Sequence, residues 1–536
     1  MAIKPYKNSI HKKGIPGVKK RNFILAIFNA WVKIEPWEPW IIASLYFICM
    51  TYLTFRYHRI GYFGVETDFY AELVPQAKKL LSGHFSPLNY GPKGPVYSFL
   101  LAGTYIIIHE YFYAGLIINL ISSFIFLVTL YFLIKNIFNR TTAVIVIFAV
   151  IFNFSFMNYT YQAGSDLPFM AVCALSMYFL FKNRRTRNLV LSSLFGLIAF
   201  LTRYNGAFIA MGAFFYLLLT GDSFRKSIKS LGLWIAIFTF IGLLWFIPNY
   251  LSTGNPVHND NYINVMLEFY GKSAGSSYEN WTDSLPKNFT GLGEIIMYDP
   301  PYFIKHLGTN VAHHFFSDMK KLIGWRLGIF VMLGFFMMFI IKPDKRKLIF
   351  FSFGIFYFLI LTLVFYNERF SLYLLTMYFP LAIYPYTEKK LISPLKKFSV
   401  VPVTIIILVI ASYSFTSTNK ALSEIKKQPA VLKELKAMGT ALGEIELDKS
   451  HKIIGRKPHV AHYAGLNPSM FPEDVRTVDN LVTFCRQHGI KYILYSGVEY
   501  KFRPYLRILL KPGFEHPGLE KVLRGKAGII IRVKGI

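Results

Sequence analysis

The sequence predicts a multi-span α-helical membrane protein, with about eleven spans and a small C-terminal α/β domain outside the bilayer. Composition is the first observation. Of 536 residues, 54% are hydrophobic and 18% aromatic, while only 16% are charged; a soluble domain carries about a quarter charged residues. Patterning is the second. Residues 115–133, 231–246 and 348–364 run almost without charge over the length needed to cross hydrocarbon. The third is the position of the basic residues, which fall in short clusters between the apolar runs.

A net charge of +30 raises the possibility of nucleic acid. Nucleic-acid binding wants one basic patch or stripe, and this chain has none. Scattered juxtamembrane clusters instead match anionic lipid headgroups as partners. Cys49, Cys173 and Cys485 are dispersed, without disulfide-framework or zinc spacing.

Taken in order, residues 1–36 form a basic tail expected in the cytoplasm, followed by a first span over 39–57 that reads as a retained anchor. Basic loops at 135–140, 182–187, 225–229, 342–347 and 389–397 are placed inside by the positive-inside rule. Residues 158–165, 203–206, 252–320, 366–369 and everything after 415 then face outward. One stretch strains the parity. Between 93 and 135 the chain must cross once, yet two apolar runs occur, 96–108 and 115–133. The first is short and ends in His109-Glu110, so it reads as a half-buried helix at the outer surface; the second crosses. The shortest spans are 189–204 and 207–220. The membrane domain is thus 37–416, with outer loops 58–94 and 252–320. The unit at 433–536 reads as α/β, with strands at 452–454, 490–495 and 527–533 and a helix at 478–488.

The first outer loop concentrates the groups able to do chemistry. It contains Glu66-Thr67-Asp68-Phe69-Tyr70, an amphipathic stretch 71–81, then Tyr90-Gly91-Pro92-Lys93-Gly94-Pro95. A carboxylate held where substrate arrives can activate a hydroxyl, and a lysine with nearby backbone N–H groups can hold a phosphate. An acidic residue in such a loop is more often simply solvated. Asp166, in Ser165-Asp166-Leu167-Pro168, has the alternative of capping the helix that follows it. Arg203 and Arg369 stand near outer span ends, where arginines also snorkel. Tyr90 reads either as a phosphate neighbour or as part of the interfacial aromatic belt. His313-His314 with Asp318 lacks a third histidine at a diagnostic spacing.

The order of these motifs resembles the polytopic GT-C glycosyltransferases that use polyprenyl-phosphate sugars, including protein O-mannosyltransferases and the aminoarabinose transferase of lipid A. Asp68 matches the acidic residue of their first outer loop and residues 90–95 their proline-rich turn. Asp166 matches an acidic position in the second outer loop. Residues 196–205, ending Leu201-Thr202-Arg203-Tyr204-Asn205, are similar to the family's Leu-Thr-Arg/Lys segment. Thr253-Gly254-Asn255-Pro256 and Glu368-Arg369-Phe370 resemble later motifs, and residues 456–465 with 489–493 resemble the outer C-terminal domain. Glu-Thr-Asp replaces the adjacent Asp-Glu of O-mannosyltransferases, and Pro-Lys-Gly-Pro replaces the usual Pro-Pro-Leu, which blurs the subfamily.

The resemblance implies transfer of a sugar from a polyprenyl-phosphate donor to a hydroxyl of a lipid, glycan or protein acceptor at the outer face of a bacterial-type plasma membrane, with inversion. It implies Asp68, Asp166 and Glu66 as catalytic residues and Lys93, Arg369, Arg203 and Tyr90 around the donor phosphate. No cofactor is required by the sequence; a divalent cation on Glu66, Asp68 and Asp166 is the open alternative to the cationic side chains. Two other classes compete: a lipid or glycan transporter or flippase, and a non-catalytic membrane scaffold.

Overall fold

The structure is a computed structural model that describes residues 35–57, 68–221, 223–273, 281–282, 284–388, 400–426, 430–456, 458–472 and 475–536. Glu66, most of the basic tail and the 389–397 loop lie outside the described residues. Helices dominate up to residue 445, and a mixed sheet follows.

Four helices are long and apolar enough to cross a membrane: Glu38–Tyr57, Tyr111–Ile137, Phe224–Thr253 and Val400–Lys426. A fifth span is formed if the bent pair Arg140–Ile151 and Phe154–Thr160 is counted as one. The expected eleven is therefore not matched by eleven long helices. Many apolar segments end after 13–18 residues, among them Ala207–Leu219 and Gly324–Ile341. At about 1.5 Å per residue, 13 residues reach only about 20 Å of a hydrocarbon core about 30 Å thick.

Lipid-facing surface is nevertheless evident. Phe240, Leu244 and Leu251 on Phe224–Thr253, and Leu408 and Phe415 on Val400–Lys426, are each more than 60% exposed. Such side chains along spans of this length mark contact with acyl chains rather than water. Tyr111–Ile137, in contrast, is packed centrally against Glu38–Tyr57 and Asp166–Lys182.

Side-chain pairing reports which helix ends lie together. Glu38 accepts from the Tyr131 hydroxyl at 2.5 Å and from Arg140 Nε at 3.1 Å, and Lys135 reaches Glu35 at 2.7 Å. The start of the first long helix thus meets the end of Tyr111–Ile137. These two helices run antiparallel, and Val96–Ile108, lying between them in sequence, makes no net crossing.

The 65° break between Arg140–Ile151 and Phe154–Thr160 is organised by Asn153. Its Oδ1 accepts from Phe156 N at 2.8 Å, while its Nδ2 donates to Leu322 O at 2.7 Å and to the Tyr413 hydroxyl at 2.6 Å. A broken helix in hydrocarbon needs such substitutes for lost backbone bonds.

Close backbone contact fixes the turn that opens Val96–Ile108. A Cβ on Gly94 would stand 2.0 Å from Leu201 O, so only glycine permits this approach. The Tyr204 hydroxyl donates to Tyr90 O at 2.9 Å. Segments 90–94 and 201–204 are thereby locked side by side.

At the C-terminal end, strands β1 (Lys452–Ile454), β2 (Asn467–Ser469), β3 (Ile490–Ser496), β4 (Leu519–Arg524) and β5 (Gly528–Val533) form one sheet in the order β2-β1-β3-β5-β4. β1 pairs in parallel with β2 and β3, while β5 is antiparallel to β3 and β4. The expected strands and the helix, seen as Val478–Gln487, are present; β2 and β4 were not foreseen. One face packs Leu481, Cys485 and Leu506, the other Leu435, Leu442 and Val460.

This unit rests on the first outer loop. Tyr70 meets the Tyr463 hydroxyl at 3.1 Å and lies 4.2 Å, centroid to centroid, from the His462 ring. Burial first, then Lys78 and Lys436 nearby, push the His462 pKa down to about 3. The unfolded imidazole titrates near pH 6.5, so below that pH the undocked form takes up the proton more readily. Docking is at full strength above about pH 6.5 and weakens as pH falls toward 3. Protection factors of the Val74–Leu81 helix against hydrogen exchange should fall between pH 6.5 and 4, and His462→Phe should remove that fall.

Gly94→Ala should lower stability by about 1–3 kcal/mol, because the added methyl meets backbone that cannot swing aside. Gly103→Ala, where nothing lies within 4 Å of the new Cβ, should be neutral or stabilising by about 0.5–1 kcal/mol. Thermal unfolding of the two purified variants compares them.

Candidate functional site

Asp68 immediately precedes the π-helical turn Phe69–Leu73. Its carbonyl accepts from Glu72 N at 2.8 Å and from Leu73 N at 3.2 Å, which starts the π-helical turn Phe69–Leu73. That turn buries Phe69, Tyr70 and Leu73, so the aspartate is carried at the edge of a packed element. Its Oδ2 accepts from Lys93 Nζ at 2.7 Å. The two partners differ in access: the lysine side chain is 8% exposed and the aspartate 33%. A buried cation thus orients a carboxylate that still faces outward.

Asp166 is the first residue of Asp166–Lys182, and Ser165 occupies the cap position without a side-chain cap bond. Its carboxylate serves a different purpose from capping. Oδ1 accepts from Arg203 Nη1, and Oδ2 lies 3.7 Å from Arg369 Nε. Ser165 Oγ is 3.3 Å from the same Arg203 nitrogen. Both guanidinium groups also lie over the Phe370 ring, at 5.5 Å and 5.0 Å. All three charged side chains are nearly buried. Arg203 and Arg369 therefore turn inward, toward a carboxylate, rather than outward to lipid headgroups.

The two groups are neighbours through the backbone contact already described. Lys93 precedes Gly94, which abuts Leu201; Arg203 lies two residues further on, and Tyr204 holds Tyr90. Tyr90 is itself buried, at 2% exposure, with its ring 5.6 Å from that of Trp245. Its carbonyl, not its hydroxyl, makes the bond to Tyr204. Glu66 belongs to the residues outside the description.

Two contributors escaped sequence reading. Asp260 N donates to Gly91 O at 2.9 Å, and Asn261 Nδ2 donates to Pro92 O at 3.2 Å. Gly91 has no side chain because the Asp260 carboxylate occupies that space, 1.7 Å from where a Cβ would stand. The long outer loop thus folds back over the proline-rich turn with a further carboxylate. The only hint is the polar run His258-Asn259-Asp260-Asn261 just after the 253–256 turn. Phe370, the ring shared by the two arginines, was seen only as part of a motif.

Chemically, the described site brings together three cationic side chains, Lys93, Arg203 and Arg369, with the carboxylates of Asp68 and Asp166 paired to them and that of Asp260 beside Gly91. That suits a phosphate carried by a substrate. Among the described residues, no three His, Cys, Asp or Glu side chains stand close enough together to hold a metal ion. Asp318, considered beside His313 and His314, is fully buried and accepts from the Tyr378 hydroxyl at 2.9 Å.

Residues 92–246 match the family model described as dolichyl-phosphate-mannose-protein mannosyltransferase. No curated protein sequence matches the chain. Solved structures do. The oligosaccharyltransferase of Archaeoglobus fulgidus, in complex with zinc and sulfate, aligns with 14% identity over 86% of this chain and 68% of its own, TM-score 0.56. The same organism's AglB, with an inhibitory peptide and a dolichol-phosphate, aligns with 13% identity over 87% and 70%, TM-score 0.56. ArnT of Cupriavidus metallidurans bound to undecaprenyl phosphate aligns with 12% identity over 94% and 98%, TM-score 0.55. The chain therefore shares the fold of these solved structures, and its residues 92–246 match the model of the dolichyl-phosphate-mannose-protein mannosyltransferase family.

Proposed function

We propose that the protein moves a sugar from a polyprenyl-phosphate donor to an acceptor hydroxyl at the outer face of the membrane, with inversion. The observation that carries this reading is the Asp68–Lys93 pair beside the Arg203–Asp166–Arg369 cluster. Residues 37–416 form the transferase domain, with the N-terminus inside and the 433–536 unit outside.

In this mechanism Asp68 removes the proton as the acceptor oxygen attacks the anomeric carbon. The carbon–oxygen bond to the phosphate breaks, and the phosphate leaves with the electron pair. Attack opposite the departing group inverts the centre. Lys93 holds the Asp68 carboxylate toward the acceptor, and Arg203 and Arg369 stabilise charge gathering on the phosphate. Preorganised cations act most strongly in a dry site. Asp166 keeps two buried guanidinium groups together that would otherwise repel. Tyr90 shapes the turn through its backbone. Relatives of the fold were solved with dolichol-phosphate and with undecaprenyl phosphate, which supports a lipid phosphate as the leaving group. The C-terminal unit, seated on Tyr70 two residues from Asp68, borders the acceptor's approach.

A transporter places ionisable groups midway along broken helices. Here Asp166 opens its helix and Arg203 follows the end of Thr186–Thr202, so the transfer reading is the better supported.

The full chain in nanodiscs, given polyprenyl-phosphate hexoses and pentoses with a panel of hydroxyl acceptors, should release polyprenyl phosphate. Asp68→Asn should slow release by about 10²–10⁴-fold. Arg369→Gln should weaken the donor's apparent affinity about tenfold or more, as expected for one lost charge-assisted bond. Donor release unaffected by Asp68→Asn would remove the proposed base. Asp166→Ala should also destabilise the fold by about 3–5 kcal/mol by leaving buried cations without their anion, read as lost thermal stability together with weaker apparent affinity for the donor.

A further inference from the structure

The helix Asp166–Lys182 carries the candidate site at its first residue. At its last residue, about 25 Å away at 1.5 Å per residue, it opens on a cleft of about 530 Å³. Lys182, Arg184, Lys345 and Arg346 line that cleft together with Thr220 and Gly221. Ile137 also lines it, so the cleft lies at the bundle end that holds the Lys135, Arg140, Glu35 and Glu38 network.

Two of the cations are held in place by protein carbonyls. Arg184 Nη2 donates to Tyr216 O at 3.2 Å, to Leu217 O at 3.1 Å and to Thr220 Oγ1 at 2.6 Å. Arg346 Nη2 donates to Phe181 O. Each guanidinium also lies against an aromatic ring, Tyr216 and Phe181 respectively. These bonds leave donors over. Arg184 Nη1 and Arg346 Nε are buried without a hydrogen-bond partner, and so is Ser227 Oγ. Gly221 leaves the room: a Cβ there would stand 1.9 Å from Ser227 Oγ and 2.8 Å from Arg184 Nη1.

Charge balance points the same way. Among the described residues, the cleft's one carboxylate, Asp344, is tied to Lys347 at 3.1 Å. Among the described residues, no ion pair engages Lys182, Arg184, Lys345 or Arg346. A buried donor left without an acceptor costs stability, and guanidinium groups fixed by their own backbone bonds are preorganised for a tetrahedral oxyanion. A volume of this size lies within the range of about 300–1,000 Å³ typical of ligand sites, so it takes more than a bare ion.

We infer that this cleft is a second, non-catalytic site for a phosphate monoester at the end of the bundle opposite the candidate transfer site. Arg184 and Arg346 supply directional donors, and the exposed Lys182 and Lys345 supply charge at the rim. The phosphate can come from a lipid headgroup or from a soluble phosphate.

The test uses the full chain in neutral detergent. One arm titrates inorganic phosphate and pyrophosphate calorimetrically; the other follows retention of phosphatidic acid, against phosphatidylcholine, by native mass spectrometry. Binding is expected in at least one arm. The rim double variant Lys182→Gln/Lys345→Gln, which changes two exposed side chains, should weaken it about tenfold, and Arg184→Gln/Arg346→Gln should weaken it further. Retention of phosphatidic acid without soluble-anion binding assigns the site to a headgroup, and the reverse assigns it to a free phosphate. Absence of binding in both arms overturns the inference. So does affinity that the rim variant leaves unchanged, or phosphatidylcholine retained as well as phosphatidic acid.

Discussion

One buried carboxylate joins three separate parts of the chain. Asp166 begins a helix, Arg203 ends another, and Arg369 precedes the 3₁₀ turn Phe370–Leu374. Two guanidinium groups shielded from water repel each other and lose hydration. They remain together because the aspartate between them neutralises one charge and accepts hydrogen bonds. The paired cations of this cluster then stand together only because the anion is present. The Gly94–Leu201 contact brings the second pair, Asp68 and Lys93, alongside it. Steric closeness at one glycine and charge matching at one aspartate thus set where every other group of the site can stand.

Much of this architecture is visible in the residues themselves. Charge-free runs announce the long helices, because hydrocarbon admits no unsatisfied polar group. Alternating and β-branched residues such as Ile490-Lys491-Tyr492-Ile493 announce a central strand. Asn467-Pro468-Ser469 does not: it is poor in strand formers and pairs only because β1 offers an edge. The span count is equally hard to read, since hydropathy reports that a segment is greasy but not whether it ends after 13 residues at a turn held by distant side chains. Of the site, Asp68, Lys93, Asp166, Arg203 and Arg369 stand out as ionisable groups at apolar boundaries. Asp260 does not, because its meeting with Gly91 joins positions 169 residues apart and leaves no local trace.

The molecule is also electrically two-ended. At one end, cations and carboxylates are paired and largely buried. At the other, lysines and arginines outnumber the acids near them and face an open cleft. The long helices between are apolar enough that neither field is compensated along their length. A bilayer with anionic headgroups on one side would orient such a molecule without any further signal.

The kink at Asn153 has a consequence for how the protein is made. Its amide nitrogen is satisfied only when Leu322 and Tyr413 have arrived, about 170 and 260 residues later in the chain. At synthesis rates of roughly 5–20 residues per second, the broken segment waits many seconds beside lipid with that donor unmatched. Insertion of residues 140–160 is thus completed by the last long helix, and a ribosome stalled before residue 400 would leave behind a bundle whose early half is exposed to quality control.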